Sequence, residues 1–225
     1  MSDEQQHERV NDILLGPLER PALRWFAEHL PDRFTPDTLT LIGIVGSLMT
    51  FGGYWASNLS PWFLWLASLG LVINWFGDSL DGTIARHRHI ERPKYGYFVD
   101  HAVDGMSETL VAFGLGLSPF VSFNVAAVAL VGYLLLSVYV YLTTYVRGVF
   151  QISYGKFGPT EVRVIIIAFN ALLFFGRTPV IETMFGTVGI YDLVIGAIAA
   201  ILIVIFVVSA IKEARRLAVE DTGRH

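Results

Sequence analysis

The sequence predicts an all-α protein, an integral membrane bundle of six transmembrane helices that follows an amphipathic helix at the membrane interface. Three observations predict it. The 225 residues are 53% hydrophobic and 16% charged, against about 45–50% and about 25% in soluble domains. Long stretches carry no charge, and Lys and Arg fall on alternating loops. The lack of cysteine excludes disulfide frameworks and thiolate metal sites, and a net charge of -4 argues against nucleic-acid binding.

The first 34 residues are expected to form an N-terminal interfacial segment. Between Val10 and Leu30, leucines and aromatic residues alternate with Arg and Glu at near-helical spacing, with breaks expected at Pro17 and Pro21. This pattern is typical of a helix that lies at the cytoplasmic interface. We expect an amphipathic segment that contributes no catalytic group.

Spans one and two are predicted from the uncharged stretch between Asp37 and Asp78, which only the turn-like Asn58-Leu59-Ser60-Pro61 interrupts. A helix needs about 20 apolar residues to cross a hydrocarbon core of roughly 30 Å. Thr38–Ala56 and Trp62 to about Ala85 are both long enough.

Four more spans follow. A second uncharged stretch, Thr109 to Val146, is broken at Ser118-Pro119, and this break separates spans three and four. The expected bounds are Gly96 onward for span three, Phe120 to about Tyr145 for span four, Thr160–Gly176 for span five and Leu193–Ile211 for span six. Residues 35–212 then form one membrane domain, and residues 213–225 form a cytoplasmic tail.

The positive charges predict the orientation. Of the 16 Lys and Arg residues, all but Arg177 fall before span one, after spans two and four or at the start of span five, or in the tail. Cytoplasmic loops carry such an excess of Lys and Arg. Both termini are therefore expected in the cytoplasm, and the membrane is expected to be an inner membrane of bacterial or archaeal type.

Four aspartates lie where lipid is expected. Asp78 and Asp81 are three residues apart in span two, and Asp100 and Asp104 are four residues apart in span three, so each pair shares one helical face. Unpaired acids at mid-membrane cost roughly 2.5–3.5 kcal/mol each. Two facing pairs form a four-carboxylate pocket that suits Mg²⁺ or Mn²⁺. The same acids are also compatible with the cation pathway of a transporter, or with an ion network formed with Arg86, Arg88 and Lys94.

Small residues flank these acids. Gly82 and Ala85 leave one side of span two without large side chains, and Gly96 lies one turn before Asp100. Backbone can then approach a bulky anionic ligand closely. Arg86 can supply a fixed positive charge to a phosphate.

Together these positions resemble the signature of the CDP-alcohol phosphotransferase family, DxxDGxxAR followed by GxxxDxxxD. The matching segments are Asp78-Ser79-Leu80-Asp81-Gly82-Thr83-Ile84-Ala85-Arg86 and Gly96-Tyr97-Phe98-Val99-Asp100-His101-Ala102-Val103-Asp104. Every position that defines the signature is present. The resemblance covers roughly Thr35–Ile211 and includes the entry to span one at Thr35-Pro36-Asp37-Thr38-Leu39-Thr40.

The resemblance implies a transfer of a phosphoryl-alcohol group from a CDP-alcohol to the hydroxyl of an acceptor alcohol, with release of CMP, in phospholipid synthesis. It implies two divalent cations, Mg²⁺ or Mn²⁺, held by Asp78, Asp81, Asp100 and Asp104, with Asp104 also taking the proton of the attacking hydroxyl. By the same resemblance, the CDP moiety is bound by Asp37, Thr40, Gly82, Ala85, Arg86 and Gly96.

The substrate pair stays open at this point. CDP-diacylglycerol is the expected donor. Gly158-Pro159-Thr160-Glu161 resembles a stretch of choline and ethanolamine phosphotransferases, which use a soluble CDP-aminoalcohol and a lipid acceptor. A carboxylate-based cation transporter is the alternative from another functional class.

Three further cations, Arg147, Lys156 and Arg163, are candidates for holding an acceptor phosphate, although ordinary positive-inside charge is the slightly favoured explanation. Glu108 continues the Asp104 face and is expected to assist packing. His87 and His89 are expected in a solvated loop, and His101 is expected to point away from the aspartates. The small-residue faces of spans three to six would permit a homodimer.

Overall fold

The computed structural model describes residues 9–10, 14–147, 150–151, 158–176, 180–183 and 186–222. Helices dominate this part of the chain, as predicted, and each predicted span corresponds to one of them. The helices are α1 (Gly16–His29), α2 (Pro36–Ala56), α3 (Phe63–His87), α4 (Pro93–Gly116), α5 (Phe123–Arg147), α6 (Pro159–Phe175) and α7 (Ile190–Thr222).

Four short strands were not predicted. β1 (Arg9–Val10) pairs in parallel with β2 (Phe150–Gln151). β3 (Val180–Thr183) pairs antiparallel with β4 (Gly186–Gly189), with Val180 opposite Gly189. The segment between spans five and six was expected to be a loop, although Val, Ile and Thr in β3 favour extended backbone.

The helix starts follow local sequence rules. Pro36 opens α2, and the Thr35 hydroxyl accepts a hydrogen bond from the Thr38 amide at 3.2 Å. The expected breaks in α1 are wrong, because the helix runs through both prolines. Pro17 lies in the first turn, where amide groups have no helical acceptor, and Pro21 removes only one backbone hydrogen bond.

Four described helices are each long and apolar enough to cross a membrane, namely α2, α3, α5 and α7. Their composition indicates an integral membrane protein. The other two helices that match predicted spans are α4, which carries Asp100, Asp104 and Glu108, and α6, which has 17 residues.

Helices α2 and α3 approach each other through glycines. A methyl group added at Gly46 would lie 2.4 Å from the Asn74 backbone nitrogen, and one at Gly77 would lie 2.4 Å from the Gly43 backbone nitrogen. Such distances leave no room for a side chain. The contact therefore fixes the C-terminal half of α3, which carries the first two motif aspartates, directly against α2.

Helix α1 packs onto the same end of the molecule. Ala27 of α1 is buried in an apolar cluster with Leu39 of α2 and with Leu80 and Ile84 of α3. The rings of Phe26 and Phe76 meet edge to face with centroids 5.2 Å apart. The remaining helices complete the bundle, with α4 packed on α2 and α5, α6 on α3, and α7 on α5.

Candidate active site

Three of the four motif aspartates form one cluster. Asp78 of α3 and Asp100 and Asp104 of α4 each offer a carboxylate oxygen, and these atoms all lie within 4.8 Å of one another. All three residues are half-buried. The i,i+4 spacing aligns the two α4 residues, and the packing of α3 and α4 around α2 brings Asp78 to them. A set of close carboxylate oxygens fits a hard divalent cation such as Mg²⁺ or Mn²⁺.

Asp81 is held differently and is not a member of this cluster. One of its carboxylate oxygens accepts a hydrogen bond from the Thr40 hydroxyl at 2.7 Å, and the other accepts from the Gly82 amide at 2.5 Å. Thr40 belongs to α2, so a neighbouring helix orients this carboxylate. The sequence placed both residues at the site, but it did not indicate that they bind each other.

Arg163 of α6 joins the cluster through Asp78. Its Nη2 donates to Asp78 Oδ2 at 2.7 Å, and its Nε donates to Asn74 Oδ1 at 2.9 Å. The two charged side chains are only 13% and 20% exposed, so water screens this ion pair weakly. Arg163 carries one positive charge and therefore offsets only one of the three carboxylates.

Asn74 is a site residue that the sequence analysis missed. It is buried, and its Nδ2 donates to the Gly43 carbonyl at 3.1 Å and to Ser47 Oγ at 3.0 Å. Ser47 in turn donates to Ser107 Oγ of α4 at 2.8 Å. This chain of polar groups links four helices behind the aspartates. The available signal was a lone amide side chain in an otherwise apolar span.

The residues predicted to bind the CDP moiety lie near the start of α2, at the end of α3 and near the start of α4. Asp37 forms an ion pair with Arg92, whose guanidinium also lies over the Tyr95 ring at 4.1 Å from the centroid. Arg86 is exposed at the end of α3. Ala85, beside it, is half-buried.

The two motif glycines differ in their surroundings. A methyl group at Gly96 would meet open space, whereas one at Gly82 would lie 3.2 Å from Arg86 Nη1. Only the flexible end of Arg86 therefore limits the room at Gly82.

Two polar residues of α4 outside the motif point toward α5. The His101 ring stacks on Tyr141 at a centroid distance of 4.8 Å, and its Nδ1 lies 3.9 Å from Asp100 Oδ2. Glu108 is half-buried, forms a hydrogen bond with Tyr133 and lies close enough to Arg163 for their charges to interact. His87 and His89 are exposed, as predicted, but only His89 lies in a loop, because His87 is the last residue of α3.

The three candidate acceptor-binding cations occupy different places. Arg163 binds Asp78, as described above. Arg147 forms an ion pair with Glu213 of α7 and lies 3.6 Å from Glu220. Lys156 lies outside the described residues. The structure therefore brings one of the three to the aspartates.

Two glutamates connect helix α1 to the site, namely Glu19 of α1, which was not singled out in the sequence, and Glu161 of α6. Glu19 Oε1 accepts hydrogen bonds from Trp75 Nε1 at 2.7 Å, from Ser79 Oγ at 3.2 Å and from Thr160 Oγ1 at 2.8 Å. Glu161 of α6 accepts from the Leu15 amide at 2.7 Å. Helix α1 is thus hydrogen-bonded to both α3 and α6.

Comparisons with known proteins find several similar proteins. Cholinephosphotransferase 1 of Mus musculus is 28% identical over 215 residues, which cover 87% of this chain and 52% of the relative. Archaetidylinositol phosphate synthase of Pyrococcus horikoshii is 32% identical over 98 residues, or 44% of this chain and 49% of the relative. The enzyme of the same name from Methanothermobacter thermautotrophicus is 29% identical over 124 residues, or 54% and 60%.

This chain spans about half the length of the first two of these relatives. The model of the CDP-alcohol phosphatidyltransferase family matches residues 33–211, nearly the range over which the sequence resembled that family. The match contains both motif segments and all four aspartates. This chain therefore belongs to the CDP-alcohol phosphatidyltransferase family.

Proposed function

We propose that this protein transfers a phosphoryl-alcohol group from a CDP-alcohol to the hydroxyl of an acceptor alcohol and releases CMP. The cluster of Asp78, Asp100 and Asp104 carries this proposal, because its oxygens fit a divalent cation and lie on the two motif segments. In the reaction, a bond forms between the acceptor oxygen and the transferred phosphorus, and the bond from that phosphorus to the CMP oxygen breaks.

Asp78, Asp100 and Asp104 would hold one divalent cation, and Asp81, beside them, would complete the site for a second. Bound Mg²⁺ or Mn²⁺ supplies positive charge that stabilises the donor pyrophosphate and the departing CMP. Asp104 accepts the proton of the attacking hydroxyl at a carboxylate oxygen.

The surrounding residues orient these acids. Thr40 orients Asp81 by a hydrogen bond, and Arg163 orients Asp78 by a charged hydrogen bond. Asn74 holds Arg163 in place by accepting a hydrogen bond from its Nε. Gly82, Ala85 and Gly96 leave space for the CDP moiety. Arg86 and Asp37, at the exposed ends of α3 and α2, contact its polar groups.

The donor alcohol is proposed to be diacylglycerol, carried as CDP-diacylglycerol, with an acceptor phosphate held by Arg147, Lys156 or Arg163. The match to cholinephosphotransferase over 87% of this chain favours a second candidate, a soluble CDP-aminoalcohol with a lipid acceptor. These candidates differ in which substrate partitions into detergent or lipid.

The experiment is to incubate the purified protein with CDP-diacylglycerol or CDP-choline, each with glycerol 3-phosphate, inositol phosphate, serine or diacylglycerol. Mass spectrometry identifies the transferred product. Product from one pair fixes donor and acceptor together. Coupled movement of cations across a vesicle membrane, with no product from any pair, would instead support the cation transporter.

We further propose six spans with both termini and the active site in the cytoplasm, in an inner membrane of bacterial or archaeal type. Residues 35–212 form the catalytic domain, and residues 213–225 form a cytoplasmic tail. The exposed apolar side chains of Leu18 and Trp25, which share one face of α1, support placing this helix at the membrane interface, as does exposed Leu14 just before its start. A homodimer through the small-residue faces of the later spans is part of the same proposal.

A further inference from the structure

Helix α6 meets α3 through a ladder of polar contacts. Near the non-cytoplasmic end, Asn170 Nδ2 donates to Ser68 Oγ at 3.0 Å. In the middle, Arg163 binds both Asn74 and Asp78. Nearest the cytoplasm, Thr160 and Ser79 do not bind each other directly but share one acceptor, Glu19 Oε1 of α1.

In both helices, this last contact lies close in sequence to the ion pair between Asp78 of α3 and Arg163 of α6. Ser79 directly follows Asp78, and Thr160 lies one helical turn before Arg163. Residues three apart on a helix face the same side. A change in the position of Thr160 relative to Ser79 therefore also changes the position of Arg163 relative to Asp78.

Glu19 is held firmly enough to set this position. Its helix is fixed at three further points: Glu161 binds the Leu15 amide at the start of α1, and Ala27 is buried against α2 and α3. Arg88 Nη2 donates to the Leu30 carbonyl at 2.8 Å at the end of α1. A carboxylate on an anchored helix can accept several hydrogen bonds in fixed geometry, and charged hydrogen bonds are about twice as strong as neutral ones.

We propose that Glu19 is a positioning residue: from the interfacial helix α1 it joins α6 to α3, and this junction keeps Arg163 on Asp78. Helix α1 is then part of the catalytic structure in addition to lying at the membrane interface. The inference rests on the proposed function only for its effect on turnover. The helix geometry it describes is independent of the substrate.

The geometric test uses the lack of cysteine in this chain. Spin labels are attached after Leu59→Cys in the exposed turn between α2 and α3 and Val164→Cys on an exposed position of α6. Pulsed electron resonance then measures the distance between the labels in the purified full-length protein. Glu19→Ala is expected to shift or broaden the distance distribution, and Glu19→Gln, which keeps an acceptor oxygen, is expected to restore part of it.

Glu28→Ala is the matched control, because it makes the same change at an exposed position of α1. It is expected to leave the distribution unchanged. If Glu19→Ala does not yield folded protein, Thr160→Val removes one donor to the same carboxylate and is expected to give a smaller shift. Unchanged distances in a folded Glu19→Ala or Thr160→Val protein would overturn the proposal.

The kinetic test uses the substrate pair that the wild-type protein turns over. Glu19→Ala is expected to lower kcat at least tenfold while KM for the donor changes less than twofold. The residues that bind the CDP moiety stay in place, whereas Asp78 in the aspartate cluster loses its fixed position. Adding Thr160→Val to Glu19→Ala should then lower kcat little further. Multiplicative effects of the two changes would show that they act separately and would contradict the shared contact. No turnover by the wild type would count against the proposed function and leave the distance measurement as the test of this inference.

Discussion

The four motif aspartates are equivalent in the sequence pattern but differ in the structure. Asp78, Asp100 and Asp104 face one another, whereas both carboxylate oxygens of Asp81 accept hydrogen bonds from Thr40 and Gly82. Helical spacing was sufficient to predict that Asp100 and Asp104 lie on one face. It could not predict the partner of Asp81, because that contact depends on how closely α2 approaches α3.

Asp104→Asn is expected to lower the rate of CMP release by at least about a hundredfold, since the amide cannot accept the proton of the attacking hydroxyl. The fold should persist because the change keeps the shape of the side chain. CMP release and the thermal unfolding midpoint in detergent measure the two effects. Asp221→Asn, an exposed residue near the end of α7, is the control. Wild-type turnover by folded Asp104→Asn protein would exclude this role.

Thr40→Val is expected to weaken Mn²⁺ binding several-fold, because Asp81 loses the hydroxyl that orients it. Valine has nearly the shape of threonine, so the packing of α2 changes little. Thr40→Ser keeps the hydroxyl and should bind Mn²⁺ as the wild type does. Isothermal titration calorimetry compares the three proteins, and equal affinity for the Val and Ser variants would show that Thr40 does not support the site.

Arg163→Met is expected to destabilise the protein by about 3–5 kcal/mol or to abolish turnover, since it leaves Asp78 without its charged partner in a weakly screened site. Arg163→Lys keeps the charge, but lysine has a single nitrogen and cannot donate to Asn74 and Asp78 from two separate nitrogen atoms. We expect an intermediate loss of turnover. Denaturation and CMP release separate the effects on stability and on activity, and an unaltered Met variant would contradict the ladder between α3 and α6.

At the scale of whole helices, the close contact of α2 and α3 makes its own prediction. Gly77→Ala would place a methyl group 2.4 Å from the Gly43 nitrogen and is expected to lower the thermal midpoint sharply, because backbone cannot move aside. Gly52→Ala is the matched control in α2, where an added methyl group meets open space. Alanine there should stabilise the helix by up to about 1 kcal/mol. Equal midpoints for the two variants would contradict the close approach.

The sequence predicted the helices better than their contacts. The length of the uncharged stretch and its turn residues predicted the start of α2 to within two residues, because these signals are local. The role of Gly46 and Gly77 was missed, since a glycine in a span does not reveal which helix approaches it. The docking of α1 was missed for the same reason: Glu19 reads as a solvated residue of an amphipathic helix until its partners on α3 and α6 are known.

For the whole molecule, the charge distribution predicts an orientation that the family match does not address. Single cysteines introduced by Leu59→Cys and Ile90→Cys lie at exposed positions after α2 and α3. In sealed cells, a membrane-impermeant maleimide is expected to label position 59 from outside and position 90 only after lysis. Labelling of position 90 alone from outside would show the opposite orientation. Labelling of both positions from outside would show that α3 does not cross the membrane.

The central claim, that the aspartate cluster supports transfer from a CDP-alcohol, is tested most directly by CMP release from the purified protein in detergent, without a membrane gradient. We predict release that requires both a CDP-alcohol and an acceptor, disappears with a chelator and returns with Mg²⁺ or Mn²⁺. Release that continues unchanged in excess chelator would contradict the metal site. Absence of release from every donor and acceptor pair, in folded protein that also fails to bind Mn²⁺ and CMP, would contradict the proposed function.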